Sequence, residues 1–442
     1  MDKALFKDKC NDLSRGDVIS VRGYAHRTER GELSIKAVDI PKLLSPCLQP
    51  FPIQEFDRPE KDKQALLDAD RHVQLLSTKN VMETIRCRST IIRSLRNFLS
   101  RRSFIEVDTP ILGAVASGAT ARPFETKATE FLDRRLALRI APELWLKRLI
   151  LGGFEKVFEI GPSFRNEGLD KTHNPEFTTC EFYTTHTSLN DLMSMTEALL
   201  HYIHLQVSQE HTSSLATTLP VLSKDQFSGS FPRLPFIPTL ENALGLYLPP
   251  LHSPDTLSTE NALKQIFHQK SLPLPQLPTI PRLLDKLSAI YLEPRCIDRP
   301  TFITHHPECL SPLSKSYLDP ITHQKLSARA ELFINGREIA NMYEEENSPF
   351  EQKKKFDMQN TFTARAKQLV AADQSKSSAL DQDETLESDT SYLEALEWGL
   401  PPTGGWGCGV DRLVMLFTGK EKISDVLTFG NLRSVTRVKG GR

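Results

Sequence analysis

The sequence predicts an α+β protein in which helices pack with strands of antiparallel type. Three observations carry this. An amphipathic period runs from about residue 79 to 102, with Ile85, Ile91/Ile92, Leu95 and Phe98/Leu99 on one stripe. Short apolar strands at Val157–Ile160 and Phe177–Tyr183 flank a polar stretch, Asn166 to Glu176, as an antiparallel pair with a long loop would. Asn335-Gly336, set between two apolar runs, is a strong type I′ hairpin signal.

Taken in order, residues 17–46 are β-rich, with Val18-Ile19-Ser20-Val21 before Gly23 and an alternating Gly31-Glu32-Leu33-Ser34-Ile35 before Pro41. Residues 51–78, which include Arg58-Pro59-Glu60-Lys61-Asp62-Lys63, have linker composition. The 79–102 helix carries Arg86, Arg88, Arg93, Arg96, Arg101 and Arg102 opposite its apolar stripe, the pattern of a solvated face. Phe104 to Pro110 forms a strand stopped by proline. Pro142 starts a helix from Glu143 to about Leu151, closed by Gly152-Gly153. Residues 205–300 are proline-rich, with weak helical patterns at 260–268 and 282–292, and are expected to be an insertion rather than a core. Residues 372–391, rich in Ser, Asp, Glu and Gln, are expected to be an exposed loop.

Composition narrows the class. The 442 residues suggest about three domains, or one large and one small. Hydrophobic residues at 39% and charged residues at 25% suit a globular chain and exclude a disordered one. A net charge of −1 argues against a uniformly basic nucleic-acid binder, though a local basic face stays possible. No apolar run approaches the roughly 18 residues of a membrane span. The seven cysteines are scattered without CxxC spacing, which favours a reducing compartment over a disulfide or zinc framework. The N-terminus has neither an apolar h-region nor an acid-poor basic leader.

Three constellations could carry chemistry. The first is Phe164-Arg165-Asn166-Glu167-Gly168, then His173-Asn174-Pro175-Glu176-Phe177 and Cys180-Glu181-Phe182-Tyr183. An arginine fork suits a phosphate, and Glu167 could accept hydrogen bonds from a base or amine. Glu181 and Tyr183 share a strand face, a carboxylate beside a phenol fit to receive an ammonium group. A surface Arg–Glu pair with a core tyrosine is the alternative. The second is Glu331 to Glu345 around the hairpin. Strict pairing would set Phe333 against Glu338 and Glu331 against Ala340, leaving Glu331 and Glu338 diagonal, about 7–8 Å apart at the backbone. They could share Mg²⁺ on a polyphosphate, or form an acidic exposed hairpin. Asn341, Tyr343 and Glu345 would then face the other way, so one site using both sets needs a bulge or twist near residues 339–341. The third is Gly404-Gly405-Trp406-Gly407-Cys408-Gly409-Val410-Asp411-Arg412. Its glycines admit a planar ligand or phosphate, with Arg412 near the start of the next helix, but it is neither a Walker A loop nor a GxGxxG fingerprint.

In this order the segments resemble a class II aminoacyl-tRNA synthetase of the lysine branch. Phe104 to Pro110 is similar to the family's first motif, Phe164 to Tyr183 to its second, and Gly407 to Arg412 to its third. The lysine branch is indicated by Gly118-Ala119-Thr120-Ala121-Arg122-Pro123-Phe124, Arg139-Ile140-Ala141-Pro142-Glu143-Leu144, Thr172 to Tyr183, Ser311-Pro312-Leu313 and Gly399 to Thr403. The resemblance runs from about residue 16 to 435. It implies an antiparallel sheet flanked by helices, preceded by an OB-fold barrel, and it divides the chain into a partial OB domain (1–50), the linker and a catalytic domain (79–442).

The resemblance also implies roles. Arg165, Glu167, His173, Asn174, Phe177, Glu338, Ile339, Gly409 and Arg412 would bind ATP, with Arg165 and Arg412 catalytic. Gly118, Glu143, Glu181, Tyr183, Asn341, Tyr343 and Glu345 would bind L-lysine, and Glu331 and Glu338 would hold Mg²⁺. The partners implied are tRNA(Lys) and a second copy of the chain. Two departures stand out. Ser117-Gly118 replaces a glycine pair, and residues 17–46 resemble only the last strands of the barrel, through Leu43-Leu44-Ser45-Pro46-Cys47-Leu48. A truncated chain is expected over a lost anticodon function. The wording near Glu143 to Lys147 and Gly161 to Phe164 resembles the mitochondrial branch, with a cytoplasmic protein as the alternative. A paralogue that lysylates a protein and a silent nucleotide-binding module are the rival functions.

Overall fold

Helix and strand alternate along the chain as the apolar period switches between 3.6 and 2. In the computed structural model the described residues are 6, 8, 10–49, 71–114, 121–131, 133–213, 219–220, 222–372, 390–430 and 432. Most of the expected linker, most of the 372–391 loop and Gly118 lie outside them. The chain divides into two units, Met1–Met82 and Glu83–Arg442.

The first unit holds two antiparallel pairs. Val18–Ser20 pairs with Lys42–Ser45, and Gly23–Arg27 with Leu33–Ala37. None of its described residues up to Gln49 is buried. The β-rich reading of 17–46 is realised in these four strands.

The second unit is built on an eight-stranded sheet. Its strands are β1 (Ile105–Glu106), β2 (Lys156–Phe164), β3 (Glu176–Thr185), β4 (Arg233–Pro235), β5 (Thr301–Thr304), β6 (Arg329–Ile334), β7 (Arg337–Glu344) and β8 (Thr403–Gly409). Their spatial order is β4-β5-β6-β7-β8-β3-β2-β1. Pairing is antiparallel from β5 through β2, as expected, whereas the two edge strands β4 and β1 join in parallel. The main helices are α1 (Lys79–Ser100), α2 (Glu143–Leu151), α3 (Leu189–Ser213), α4 (Phe236–Leu244), α5 (Thr256–Gln269), α6 (Ile280–Tyr291), α7 (Pro349–Ala372), α8 (Thr390–Leu396) and α9 (Val410–Thr418).

Alternation along the strands gives the sheet two apolar faces. On one, Phe158, Phe182, Trp406, Met342, Ala340 and Leu332 pack with the buried stripes of α1, α3 and α9. Phe182 is the centre of this layer, with ring centroids 5.1 Å from Phe104 and 4.9 Å from Trp406. Such pairs add about 0.5–1.5 kcal/mol each beyond area burial. The other face is covered at its two ends. Leu144, Leu146, Val157, Tyr183, Phe356 and Tyr392 form a cluster around α2, α7 and α8. Ile303 and Phe333 carry a second cluster made largely by α4, α5 and α6. The site-bearing middle of the sheet lies between them.

Two expectations change here. The 205–300 segment is not an appendage without a core, because it supplies the edge strand β4 and a buried cluster including Phe236, Leu240, Leu263, Phe267, Leu283 and Leu287. The prolines that obscured it sit at helix starts and loops, with Pro235 capping α4 and Pro281 in the first turn of α6. On α1, Arg88 does not belong to a solvated face. Its guanidinium pairs with buried Asp411 and donates to Thr178 Oγ1 at 2.8 Å.

Candidate active site

The hairpin of β6 and β7 turns through Asn335 (φ 53°) and Gly336 (φ 69°), both left-handed as the type I′ turn requires. Ile334 pairs with Arg337 and Phe333 with Glu338, as expected. Then the register shifts. Leu332 faces Ala340 and Glu331 faces Asn341, so Ile339 is an extra residue. Ile339 and Ala340 both enter the helix-covered core. Strict alternation, which set Glu331 against Ala340, is therefore corrected by a bulge at the position where one was needed. It brings Glu331, Glu338, Asn341 and Tyr343 to one face. The side chain of Ile339 belongs to the core, so it can offer the site only its backbone.

Register then lays out a floor. Glu159, Glu181, Gly407, Asn341 and Glu331 are successive partners across β2, β3, β8, β7 and β6. Val157, Tyr183, Gly405, Tyr343 and Arg329 form the adjoining row. A Cβ on Gly405 would stand 1.9 Å from Glu345 Oε1 and 2.7 Å from Tyr183 Cε1, so only glycine leaves room for that carboxylate.

At the Gly405 row lies an acidic pocket. Glu143, from the first turn of α2, accepts from Tyr343 Oη at 2.5 Å and from Lys147 Nζ at 2.5 Å. The Lys147 ammonium also pairs with Glu345. Tyr183 Oη donates to Glu181 Oε2 at 3.2 Å. Glu143, Glu181 and Glu345 are all buried, and Glu345 Oε1 has no hydrogen-bond partner. Burial, reinforced by Glu143, pushes the Glu181 carboxyl up to about 8. Burial also raises Glu345, while Lys147 pulls it back. Burial disfavours the charge on Lys147, yet Glu143 and Glu345 more than offset this and hold its pKa above the usual range. Buried carboxylates with open lone pairs are a receptor for cations.

At the Glu338 end lies a cationic side. Arg165 stacks 5.2 Å from the Phe177 ring, and its Nε has no partner. Glu167 Oε1 is likewise buried and unpaired. Arg412, in the first turn of α9, donates to Glu338 Oε2 at 3.3 Å and to His173 Nε2 at 2.9 Å. Because arginine only donates, His173 Nε2 must accept, which leaves the proton on Nδ1 facing Asp170 Oδ2 at 2.7 Å. Asp170 is held at about 2: burial opposes its charge, but bonds from Thr172 and His173 prevail. Asn174 serves its own loop, donating to the Glu176 carbonyl at 2.6 Å and accepting from Leu432 N at 3.2 Å. Gly409 precedes α9 as its N-cap.

Glu331 is engaged by Arg329 at 2.5 Å and His306 at 3.1 Å. Against its burial, those two partners hold it at about 2. No group of three or more His, Cys, Asp or Glu suited to a metal occurs among the described residues. The pair Glu331 and Glu338, on one face, still fits an ion that takes one or two carboxylates and completes its shell with phosphate oxygens.

Sequence reasoning missed Lys147, Asp170, His306 and Arg329. Lys147 had a findable signal, since Glu143 and Lys147 are an i,i+4 pair on a helix whose only other charged residue is Arg148.

A parallel-edged, largely antiparallel sheet carrying an arginine pair and an acidic pocket defines the class. The family of class II tRNA synthetases (D, K and N) matches residues 63–433, and the chain belongs to that family. Among its curated relatives, the mitochondrial lysine–tRNA ligase of Schizosaccharomyces pombe is 42% identical over 98% of this chain and 76% of its own length. The mitochondrial lysine–tRNA ligase of Saccharomyces cerevisiae is 38% identical over 99% of this chain and 74% of its own. A probable cytoplasmic lysine–tRNA ligase of Encephalitozoon cuniculi is 39% identical, covering 95% and 78%.

Proposed function

We propose that this chain is a lysine–tRNA ligase that activates L-lysine with ATP and transfers it to the 3′ end of tRNA(Lys). The observation that carries the reading is the buried pocket of Glu143, Glu181 and Glu345 beside Arg165 and Arg412. Two ammonium groups on one small substrate call for several carboxylates, and a polyphosphate calls for arginines.

Glu143 with Tyr343 would receive one ammonium, and Glu345 with Tyr183 and Glu181 the other, with Asn341 and Gly118 completing the site. Arg165 would meet the α-phosphate, Glu167 the adenine amino group, and Phe177 the base. The lysine carboxylate is already ionised, so it attacks the α-phosphorus without a general base. The new O–P bond forms as the bond to pyrophosphate breaks, and Arg165 and Arg412 stabilise the spreading charge. In the second step a ribose hydroxyl of tRNA attacks the lysyl carbonyl and AMP leaves. Mg²⁺, held by Glu331 and Glu338, would neutralise charge on the β- and γ-phosphates.

The test is lysine-dependent ATP–pyrophosphate exchange. Wild type is expected to exchange, and Arg165→Ala to lose at least about 100-fold, the scale of a lost transition-state donor. A folded chain with no lysine-dependent exchange overturns the assignment. Two of the relatives above are mitochondrial, which supports a mitochondrial enzyme; cell fractionation that finds it only in the cytosol would refute this. The first-motif resemblance supports a homodimer, and an active monomer in sedimentation would contradict it.

A further inference from the structure

We propose that Lys147 is a positioning residue for the amino-acid site: its ammonium, clamped between Glu143 and Glu345, fixes the spacing and net charge of the carboxylates that select the substrate. The inference rests on the lysine–tRNA ligase reading.

Lys147 is wholly buried on α2. Its Nζ lies 2.5 Å from Glu143 Oε1 and in contact with Glu345 Oε2, which join α2 to the residue following β7. The rings of Tyr343, Tyr392 and Tyr183 surround it at 5.5, 5.8 and 5.9 Å from Nζ. Lys147 is wholly buried and its ammonium is already held by two protein carboxylates, so it is not placed to meet a phosphate or carboxylate of a substrate. Its work is on those carboxylates.

Charge counting shows what the work is. With lysine bound and the Glu181 proton released, Glu143, Glu181 and Glu345 bring three negative charges, and Lys147 cancels one. The remainder equals the two ammonium groups of lysine. Without Lys147 the pocket would hold three mutually repelling carboxyls against two cations, and one would take a proton or swing away. Glu345 depends most on this arrangement, since the Lys147 ammonium is the cation that holds its Oε2 while its Oε1, set in the space left by Gly405, has no hydrogen-bond partner. With Lys147 in place, Glu345 has a fixed position from which to accept an arriving ammonium.

The test compares Lys147→Met, which keeps length and volume, with Lys147→Arg, which keeps the charge. Wild-type exchange, measured alongside, tests the functional reading by itself. Lys147→Met is expected to raise the KM for lysine at least ten-fold while the KM for ATP stays within two-fold and the unfolding midpoint shows a folded protein. Lys147→Arg is expected to stay within three-fold of the wild-type KM for lysine. A folded Lys147→Met with an unchanged KM for lysine overturns the proposal, as does one that loses ATP and lysine affinity equally. If Lys147→Met does not fold, Lys147→Arg still decides: a ten-fold rise in its KM for lysine would overturn the role of the charge.

Discussion

Glu181 shows how burial converts a common side chain into a titrating receptor. Its carboxyl is raised to about 8 by burial, then by Glu143, with the Tyr183 hydroxyl pulling back. The sign follows from that direction. In the empty pocket below pH 8 the group holds a proton, whereas an ammonium partner requires the carboxylate. At the proposed lysine site binding would release that proton, so lysine affinity is expected to rise with pH up to about 8, by as much as ten-fold per pH unit, and level off above. Lysine KM measured between pH 6 and 9 checks this, and a flat profile would contradict it. The same raised value means that Glu181 favours the folded, lysine-free state below its ordinary pKa and loses that contribution as pH rises through about 8.

Between elements, the contact that matters most joins α1, β3 and α9. Arg88 pairs with Asp411, one residue before Arg412, and Asp411 Oδ2 also accepts from Thr178 N at 2.8 Å. Helix α1 thereby fixes the start of α9, the helix that bears Arg412, the arginine proposed above to meet phosphate. Removing one partner of a buried pair leaves the other charge uncompensated, which costs about 3–5 kcal/mol. Arg88→Met should therefore lower stability by about that amount in denaturant titration and raise the KM for ATP more than that for lysine; an unchanged midpoint would count against the latch. This link could not be seen in the sequence. Arg88 sits in a run of arginines whose spacing is that of a solvated face, and only its partner 323 residues away sets it apart. Local features were legible where local chemistry decides them. The Asn335-Gly336 turn and the limits of α2 are examples, and so is the bulge at Ile339, which two incompatible faces demanded. The helices of 236–291 were faint because proline and polar residues break their period, and their core forms only against Ile303 and Phe333 of the sheet.

On the scale of the whole chain, the two units divide unequal burdens. Every described residue assigned to ATP or lysine lies in Glu83–Arg442, which also holds the buried clusters. The strands of Met1–Met82 form two-stranded pairs without a buried residue up to Gln49, and such pairs are marginal as sources of stability. On the Gly23–Arg27/Leu33–Ala37 hairpin, Tyr24 is 73% and Leu33 82% exposed. An exposed aromatic on a strand is a platform for an unpaired base, and stacking of this kind contributes about 1–3 kcal/mol per base. Tyr24→Ala is then expected to leave pyrophosphate exchange within two-fold of wild type and to raise the KM for tRNA(Lys) roughly ten-fold in charging assays. A parallel loss in both assays would mean that the first unit supports the chemistry itself. Loss in neither would place tRNA recognition elsewhere on the chain. The comparison works because adenylate formation needs no tRNA, so pyrophosphate exchange is blind to a tRNA contact that charging registers.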